Sequence, residues 1–487
     1  MTYAELHRRS DRLASGLKDL GVNPGDRVGI LINKSIESIV VIFGILKTGA
    51  SYVPIDSLAP RSRVEYILDR CEIRVLITTP EGAGKILPRS GANPYLKIIT
   101  LPADELFGER SAPFEPIDFS DTNPAYILHT SGSTGMPKGV GLSHLNALTF
   151  VDMAAEYFHV EKEDRLACHA PLQFDLTVFD LFVAVRNGAT IVLVPETLSI
   201  FPMKLAQFID EAKITVWNSV ASVLSLLAER GRMDRFRFDS LRTVIFSGDV
   251  LPAKHLRKLK TLLPRVRFFN VYGQTEANSS MCYPIGEVPE GDAWRMPIGK
   301  AFPNFEVFAL NELRQVVRRR GEIGELYVRG SSVATGYWGE PEKTSGSFVT
   351  DPKSMLSNRK VYRTGDLVTM DRSGDYLFLG REDHQVKCRG YRVQLDEIET
   401  VLNNHPSVKE AVVLALPDDL IGNRILAHIA TVDGVKLTEM EVFDHCSKTL
   451  PGYMVPEKCI FHDHFPKTAT GKTDRNSLKE STGKERI

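Results

Sequence analysis

Tyr126-Ile127-Leu128-His129-Thr130-Ser131-Gly132-Ser133-Thr134-Gly135-Met136-Pro137-Lys138-Gly139 is the stretch from which the rest of the chain is best read. Ala125 to Leu128 are apolar and read as a buried strand. From Thr130 to Gly139 the only bulky apolar side chain is Met136. Glycines allow positive φ and let consecutive N–H groups face an anion, hydroxyls add donors, and Lys138 supplies a compensating charge. The composition is that of a phosphate cradle. It is not the common nucleotide loop, because Gly-x-x-x-x-Gly-Lys-Ser/Thr occurs nowhere in the chain. A flexible Ser/Gly turn is the other reading of such a run. A lysine framed by Pro137 and Gly139, directly after a strand, favours the cradle.

Outward from this loop the chain alternates strand and helix. Upstream, Leu6, Leu13, Leu17 and Leu20 share one face of a helix over 4–20 that Gly21, Pro24 and Gly25 end. Strands are expected at 28–32, 74–79 and 96–100, a helix at 36–47 and a short extended piece at Val53. A polar segment, 103–124, links this block to a second one. There, strands at 190–194, 214–217, 243–247 and 266–270 alternate with helices at 203–213, 219–230 and 253–263. Such alternation predicts parallel, doubly wound sheets. From 297 to 380 short glycine-punctuated strands predict a small β subdomain. Beyond Asp383, a helix at 395–403, strands at 408–416 and 424–431, and a Thr438/Glu441 capping box predict a small α+β domain. The expected fold is therefore α/β. A large core, 1–382, comprises α/β subdomains 1–115 and 120–296 and a β subdomain 297–382, and a small lid domain follows at 383–487.

Composition narrows the function. At 487 residues the chain is too long for one core, and its formal net charge of −1 creates no field for nucleic acid or an anionic membrane. Six scattered cysteines show neither a Cys-x-x-Cys pair nor zinc-ligand spacing, which predicts free thiols in a reducing compartment. The chain has no apolar run of about 18 residues, and its first residues do not read as a signal peptide. A cytoplasmic monomer is expected.

Four further runs carry chemistry. Tyr272-Gly273-Gln274-Thr275-Glu276, after the strand ending at Asn270, offers an aromatic face for a purine, a hydroxyl for a phosphate and a carboxylate for magnesium. Read alone, it is equally a capped helix start. In Tyr362-Arg363-Thr364-Gly365-Asp366-Leu367, the Asp366 carboxylate suits a vicinal diol, since each oxygen can accept a hydrogen bond. An Asp in a β-turn is the plainer alternative. Phe378-Leu379-Gly380-Arg381-Glu382-Asp383 continues through His384-Gln385-Val386-Lys387-Cys388-Arg389-Gly390, a basic, glycine-bounded segment otherwise read as a surface loop. Near the end stands Pro466-Lys467-Thr468-Ala469-Thr470-Gly471-Lys472-Thr473-Asp474-Arg475, whose lysines would ordinarily be solubilising.

In this order the motifs resemble those of the adenylate-forming enzymes, most closely a stand-alone or excised amino-acid adenylation domain of non-ribosomal peptide synthesis. The resemblance covers residues 2–480. It implies ATP and Mg²⁺ as cofactors, with ATP held by Thr130, Ser131, Gly132, Ser133, Thr134, Gly135, Asn270, Tyr272, Asp366, Phe378 and Arg381. Lys138, Thr275, Glu276 and Lys472 become the catalytic set, with Glu276 on the metal and Lys472 bridging the substrate carboxylate and the α-phosphate. Asp383 becomes a hinge, and Gly390 borders a channel for the phosphopantetheine thiol. Departures from the family pattern are Gln274 for proline, Gln394-Leu395-Asp396 for Glu-Leu-Gly, and Thr470 for asparagine.

Ala170-Pro171-Leu172-Gln173-Phe174-Asp175-Leu176-Thr177-Val178-Phe179-Asp180 resembles the start of the family's amino-acid pocket, with Asp175 as the partner of a substrate ammonium. A satisfied helix-start aspartate is the alternative. By motif alignment the pocket continues with Leu176, Phe179, Asn218, Ile245, Ser247, Val271, Ser279 and Ser280. This mixed lining favours a small or medium amino acid, proline and β-amino acids included. The expected reaction forms an aminoacyl-AMP with release of pyrophosphate and then loads a carrier protein acting in trans. An acid–CoA ligase is the alternative. No His-His-x-x-x-Asp-Gly condensation motif is present in the sequence, and Asp239-Ser240-Leu241, just before an expected strand, is discounted as a phosphopantetheine site.

Overall fold

The computed structural model describes residues 1–86, 95–102, 114–115, 117–132, 136–291, 294–353, 359–381, 383, 385–432, 434–466 and 473–484. A first seven-stranded sheet contains Arg27–Leu31 (β1), Ser51–Pro54 (β2), Val75–Thr78 (β3), Lys97–Thr100 (β4), Pro124–Thr130 (β5) and Lys138–Ser143 (β6). β1 to β5 pair in parallel, and β6 turns back antiparallel on β5 with Thr130 opposite Lys138. The Val-, Ile- and Leu-rich strands are buried on both faces, as expected where helices cover a parallel sheet. The helices are Tyr3–Asp19, capped by a Thr2/Glu5 box, and Ile36–Lys47, capped by Ser35 and Ser38. Helices Arg61–Arg70 and Pro80–Ile86 were not foreseen, because their apolar positions are sparse.

A second seven-stranded sheet is ordered β13-β12-β11-β10-β9-β7-β8. Its strands are Arg165–Cys168 (β7), Thr190–Leu193 (β8), Val216–Val220 (β9), Thr243–Ser247 (β10), Arg267–Gln274 (β11), Asn278–Pro284 (β12) and Lys300–Ala301 (β13). β7 to β11 run parallel, whereas β12 and β13 are antiparallel additions. Both large sheets are thus mixed. The expected division at 115/120 does not follow the sheets. Tyr126 pairs with Tyr52, so the strands on either side of the phosphate loop belong to the first sheet. The alternative reading of the run at Thr275 as a capped helix start is not what forms. β11 runs on through Gln274 and turns into β12, because the two strands satisfy each other's backbone groups from Phe269–Pro284 to Gln274–Asn278.

Phe305–Leu310 (β14), Gly324–Gly330 (β15), Gly336–Tyr337 (β16), Phe348–Thr350 (β17), Lys360–Met370 (β18) and Tyr376–Arg381 (β19) follow. Five of them form the β subdomain, and β16 crosses to the edge of the first sheet beside β6. The last part of the chain holds a hairpin, Gln385–Cys388 (β20) and Tyr391–Gln394 (β21), then the helix Leu395–Asn403. Val408–Asp418 (β22), Gly422–Thr431 (β23) and Lys458–His462 (β24) form a three-stranded sheet. The Thr438/Glu441 capping box is present on the helix Glu439–Ser447. Ile42, Phe158, Phe179 and Val271 share one core between the two large sheets, while Ile398, Val413, Ile429 and Val442 form a separate core in the last part. All six cysteines are free and buried. Among the described residues no helix is long and apolar enough to cross a membrane.

Candidate active site

A cavity of about 960 Å³ opens at the carboxyl ends of β9, β10 and β11, where ligands of wound α/β sheets bind. Its walls include Asn218, Ile245, Ser247 and the run from Asn270 to Thr275; Asp366, Phe378 and Arg381 come from the β subdomain, and the β20–β21 hairpin covers it. Tyr391 packs edge-on against Phe174, with ring centroids 4.7 Å apart.

The phosphate loop joins β5 to β6. Thr130, Ser131 and Gly132 are described, and all but Gly132 line the cavity. Ser133, Thr134 and Gly135 lie outside the described residues. A Cβ on Gly132 would come within 2.4 Å of the Met136 carbonyl, so only glycine fits. The Gly132 N–H donates to Glu397 Oε2 at 3.3 Å and Ser131 Oγ to the Arg392 carbonyl at 2.7 Å. The loop therefore already points a backbone N–H at a carboxylate, and Glu397 stands where an anion can be held. The buried Thr130 hydroxyl has no partner among the described residues.

Lys138 lies 3.0 Å from Glu276 Oε1 and donates to the Tyr337 hydroxyl at 2.8 Å. Burial lowers its ammonium to about 8; Glu276 opposes that shift and Arg392 adds to it. Glu276 is fully buried in the turn between β11 and β12. Arg392 Nη1 reaches its two oxygens at 2.9 and 2.8 Å, and the Tyr337 hydroxyl donates to it at 2.8 Å. Burial alone would push this carboxyl up, but Arg392 and Lys138 hold it well below the usual carboxylate range.

Asp366 is closed from both sides. Oδ2 accepts from the Tyr272 hydroxyl and from Gln274 Nε2 at 2.6 Å, and Oδ1 accepts from Arg381. Gln274, the departure from proline, thus orients the carboxylate expected to face a diol. Asn270 Nδ2 is committed to the Pro297 carbonyl at 2.8 Å. Arg381 also donates to Asp383, at 2.7 and 2.9 Å. Gly390 makes the β20–β21 turn at φ +81° against Val220.

Asp175 precedes the short helix Leu176–Val178 but caps nothing. Instead Oδ2 accepts from Thr275 Oγ1 at 2.9 Å. Among the described residues no ion pair reaches Asp175, and burial raises its carboxyl while Thr275 and Lys387 pull against the rise. Leu176, Phe179, Asn218, Ile245, Ser247, Val271 and Ser279 all line the cavity. Ser280 does not: it is fully buried one position along β12, and alternation along a strand turns it to the opposite face. Lys472 lies outside the described residues; next to it Thr473 bonds to Glu410 on β22.

The AMP-binding enzyme family model matches residues 1–338, and the AMP-binding enzyme C-terminal domain matches 397–472. The chain belongs to the AMP-binding enzyme family. An L-proline--[L-prolyl-carrier protein] ligase of Pseudomonas fluorescens is 35% identical over 98% of this chain and 93% of its own length. Tyrocidine synthase 1 of Brevibacillus parabrevis is 33% identical over 99% of this chain, which spans 42% of that protein. Among solved structures, an artificially fused adenylation–PCP di-domain, NpsA-ThdA from Klebsiella oxytoca, superposes with TM-score 0.80 at 25% identity, covering 94% of this chain and 88% of that one.

In this AMP-binding enzyme, Glu276 is the carboxylate that the sequence offers for Mg²⁺. Among the described residues no three His, Cys, Asp or Glu side chains gather to ligate a metal. A lone carboxylate suits an ion that takes its remaining oxygens from phosphates and water. The donor set fits such an ion only when Arg392 withdraws, since Arg392 engages both Glu276 oxygens. Sequence reasoning missed Arg392, Lys387, Tyr337, Asp180 and the Arg63–Glu397 pair, whose Arg63 Nη1 sits 2.8 Å from Glu397 Oε1. It also missed Phe150 and Phe158 in the cavity wall. One signal was available. Lys387 and Arg392 stand equally far on either side of the Arg389-Gly390 turn and are register partners in the hairpin, so both basic groups share a face.

Proposed function

We propose that this enzyme activates a small or medium amino acid as its aminoacyl-AMP and passes the aminoacyl group to the phosphopantetheine thiol of a carrier protein. Proline, named in the relative from Pseudomonas fluorescens, and β-amino acids fall within that class. The observation that carries this reading is Asp175, a carboxylate in the cavity wall with a hydroxyl donor but no cation in ion-pair reach among the described residues. A buried anion wants a counter-charge, and a substrate ammonium supplies one. A plain carboxylic acid would bring Asp175 no cation beyond the hydroxyl donor it already has.

In the first step a substrate carboxylate oxygen attacks the α-phosphorus of ATP, and the bond to the pyrophosphate oxygen breaks. A carboxylate is already ionised and nucleophilic, so positioning and charge dispersal do the work. The phosphate loop and Lys138 hold the phosphates, Asp366 with Arg381 holds the ribose, and Tyr272 and Phe378 flank the base. Lys472 is assigned to the substrate carboxylate and α-phosphate. Bound at Glu276, Mg²⁺ supplies Lewis-acid neutralisation of phosphate charge. In the second step the thiol sulfur attacks the acyl carbon and AMP leaves. The β20–β21 hairpin, with Gly390 against Val220, belongs to this second arrangement, and Asp383 is the hinge between the two. The reading includes a cytoplasmic monomer, with six free thiols consistent with a reducing compartment.

The test is acceptor choice. With ATP, Mg²⁺ and an amino acid, a phosphopantetheinylated carrier is expected to gain the aminoacyl mass while free coenzyme A gains none. Thioester formation on coenzyme A alone would refute the carrier role.

A further inference from the structure

One polar pair in the cavity wall is used by neither step. Asn218, on β9 and only 4% exposed, donates through Nδ2 to Asp180 Oδ1 at 2.9 Å and to the Leu176 carbonyl at 3.4 Å. Two acceptors at one end of the carboxamide identify that end as the NH₂. The carbonyl oxygen, Oδ1, accepts from no described residue and is not among the sealed polar atoms, so it is left to the cavity that Asn218 lines. Around it the wall is apolar: Ile245 is its register partner on β10, and Leu176 and Phe179 come from the adjoining helical segment.

Asp180 sits behind this group in the π-helical turn Phe179–Val183, a geometry that often marks functional positions. It is fully buried and its Oδ2 has no partner among the described residues. Lys34, the nearby cation, spends its ammonium on the His169 and Ala170 carbonyls at 2.7 and 3.1 Å. Burial pushes the Asp180 carboxyl up to about 8, while Asn218, Lys34 and the His169 backbone N–H oppose the rise. A buried acid held this way is costly, and the side-chain hydrogen bond it makes is the one that orients the Asn218 amide.

We infer that Asp180 is a positioning residue that turns the Asn218 carbonyl toward the substrate, so that the enzyme selects an amino acid whose side chain carries a hydrogen-bond donor, a hydroxyl or thiol, over its apolar isostere. The inference rests on reading the cavity as the amino-acid site. An apolar side chain placed there leaves the Asn218 carbonyl unpaired, and a site built around a hydrogen bond rejects the analogue lacking it far better than an apolar wall rejects a methylene. Proline, which has no side-chain donor, falls on the disfavoured side.

Isosteric pairs test this: L-threonine against L-valine and L-serine against L-2-aminobutyrate, by kcat/KM in amino-acid-dependent ATP–pyrophosphate exchange, with L-proline and the deaminated acids alongside. The donor-bearing member is expected to lead by about 10-fold or more in the wild type. In Asn218→Leu that lead should vanish through KM for the hydroxy-amino acid rather than through kcat. In Asp180→Asn it should shrink, because the new amide can donate to Asn218 and turn it over. Each ratio is measured within one protein preparation, so a loss of folded protein cancels. Equal kcat/KM within both wild-type pairs, or an unchanged ratio in both variants, would overturn the inference while leaving amino-acid activation intact. Exchange with plain carboxylic acids and no amino acid would overturn the amino-acid reading as well.

Discussion

Lys138 is poised at the edge of its titration range. With burial holding it at about 8, its charge is present below that pH and lost above it. The kcat/KM for MgATP is therefore expected to fall as pH rises through about 8, and Lys138→Arg, which keeps its charge, should move the decline beyond about 10. A pH profile of exchange checks this; a wild-type rate that is flat from about 7 to about 10 would contradict it. Asp175→Ala is expected to raise KM for the amino acid by about 10- to 100-fold with kcat less affected, since it removes a charge-assisted contact. Lys138, Asp175, Glu276, Asp366 and Arg381 could each be singled out as candidates because each lies in a short motif with its own chemical logic. Arg392 and Asp180 were not. Arg392 meets Glu276 across 116 residues and Asp180 meets Asn218 across 38, and such pairings exist only in the fold.

In the proposed second step the β20–β21 hairpin is the element to test. Gly390 takes φ +81° at its turn, and a Cβ there would sit 2.4 Å from Val220 Cγ1. Gly390→Ala thus combines backbone strain of about 1–2 kcal/mol with a clash at the mouth of the cavity. It is expected to slow carrier loading at least about 10-fold while leaving pyrophosphate exchange within about twofold. Val220→Ala in that background should recover part of the loss. Equal damage to both steps would contradict the assignment. Most elements of the two sheets and of the last domain were foreseeable from periodicity, including the helix Leu395–Asn403. The run Tyr272 to Gln274 was harder, since its polar residues suit a helix start as well as a strand. What decides is antiparallel pairing with β12, a partner that local sequence does not announce.

At the scale of the whole molecule, the charges that hold the last domain down are those of the proposed nucleotide site. Arg392 meets Glu276, the phosphate loop meets Glu397, and Glu397 is paired with Arg63. Phosphates and Mg²⁺ compete for the same groups, so binding of MgATP should release the docked arrangement. Fluorophores placed one on the β subdomain and one on β22 are expected to change transfer efficiency on adding MgATP with a non-reactive acid. Arg392→Ala should show most of that change beforehand. No response in either protein would uncouple Arg392 from the movement. This link could not be read from the motifs, which name the groups one at a time and not which of them compete.

The cavity beside Asp175 takes an amino acid in the proposed reaction. The experiment that decides this is substrate-dependent ATP–pyrophosphate exchange across small and medium amino acids and their deaminated analogues. Exchange is expected with at least one amino acid and not with the matching acid that lacks the ammonium. Exchange driven by plain carboxylic acids, with amino acids inert, would contradict it.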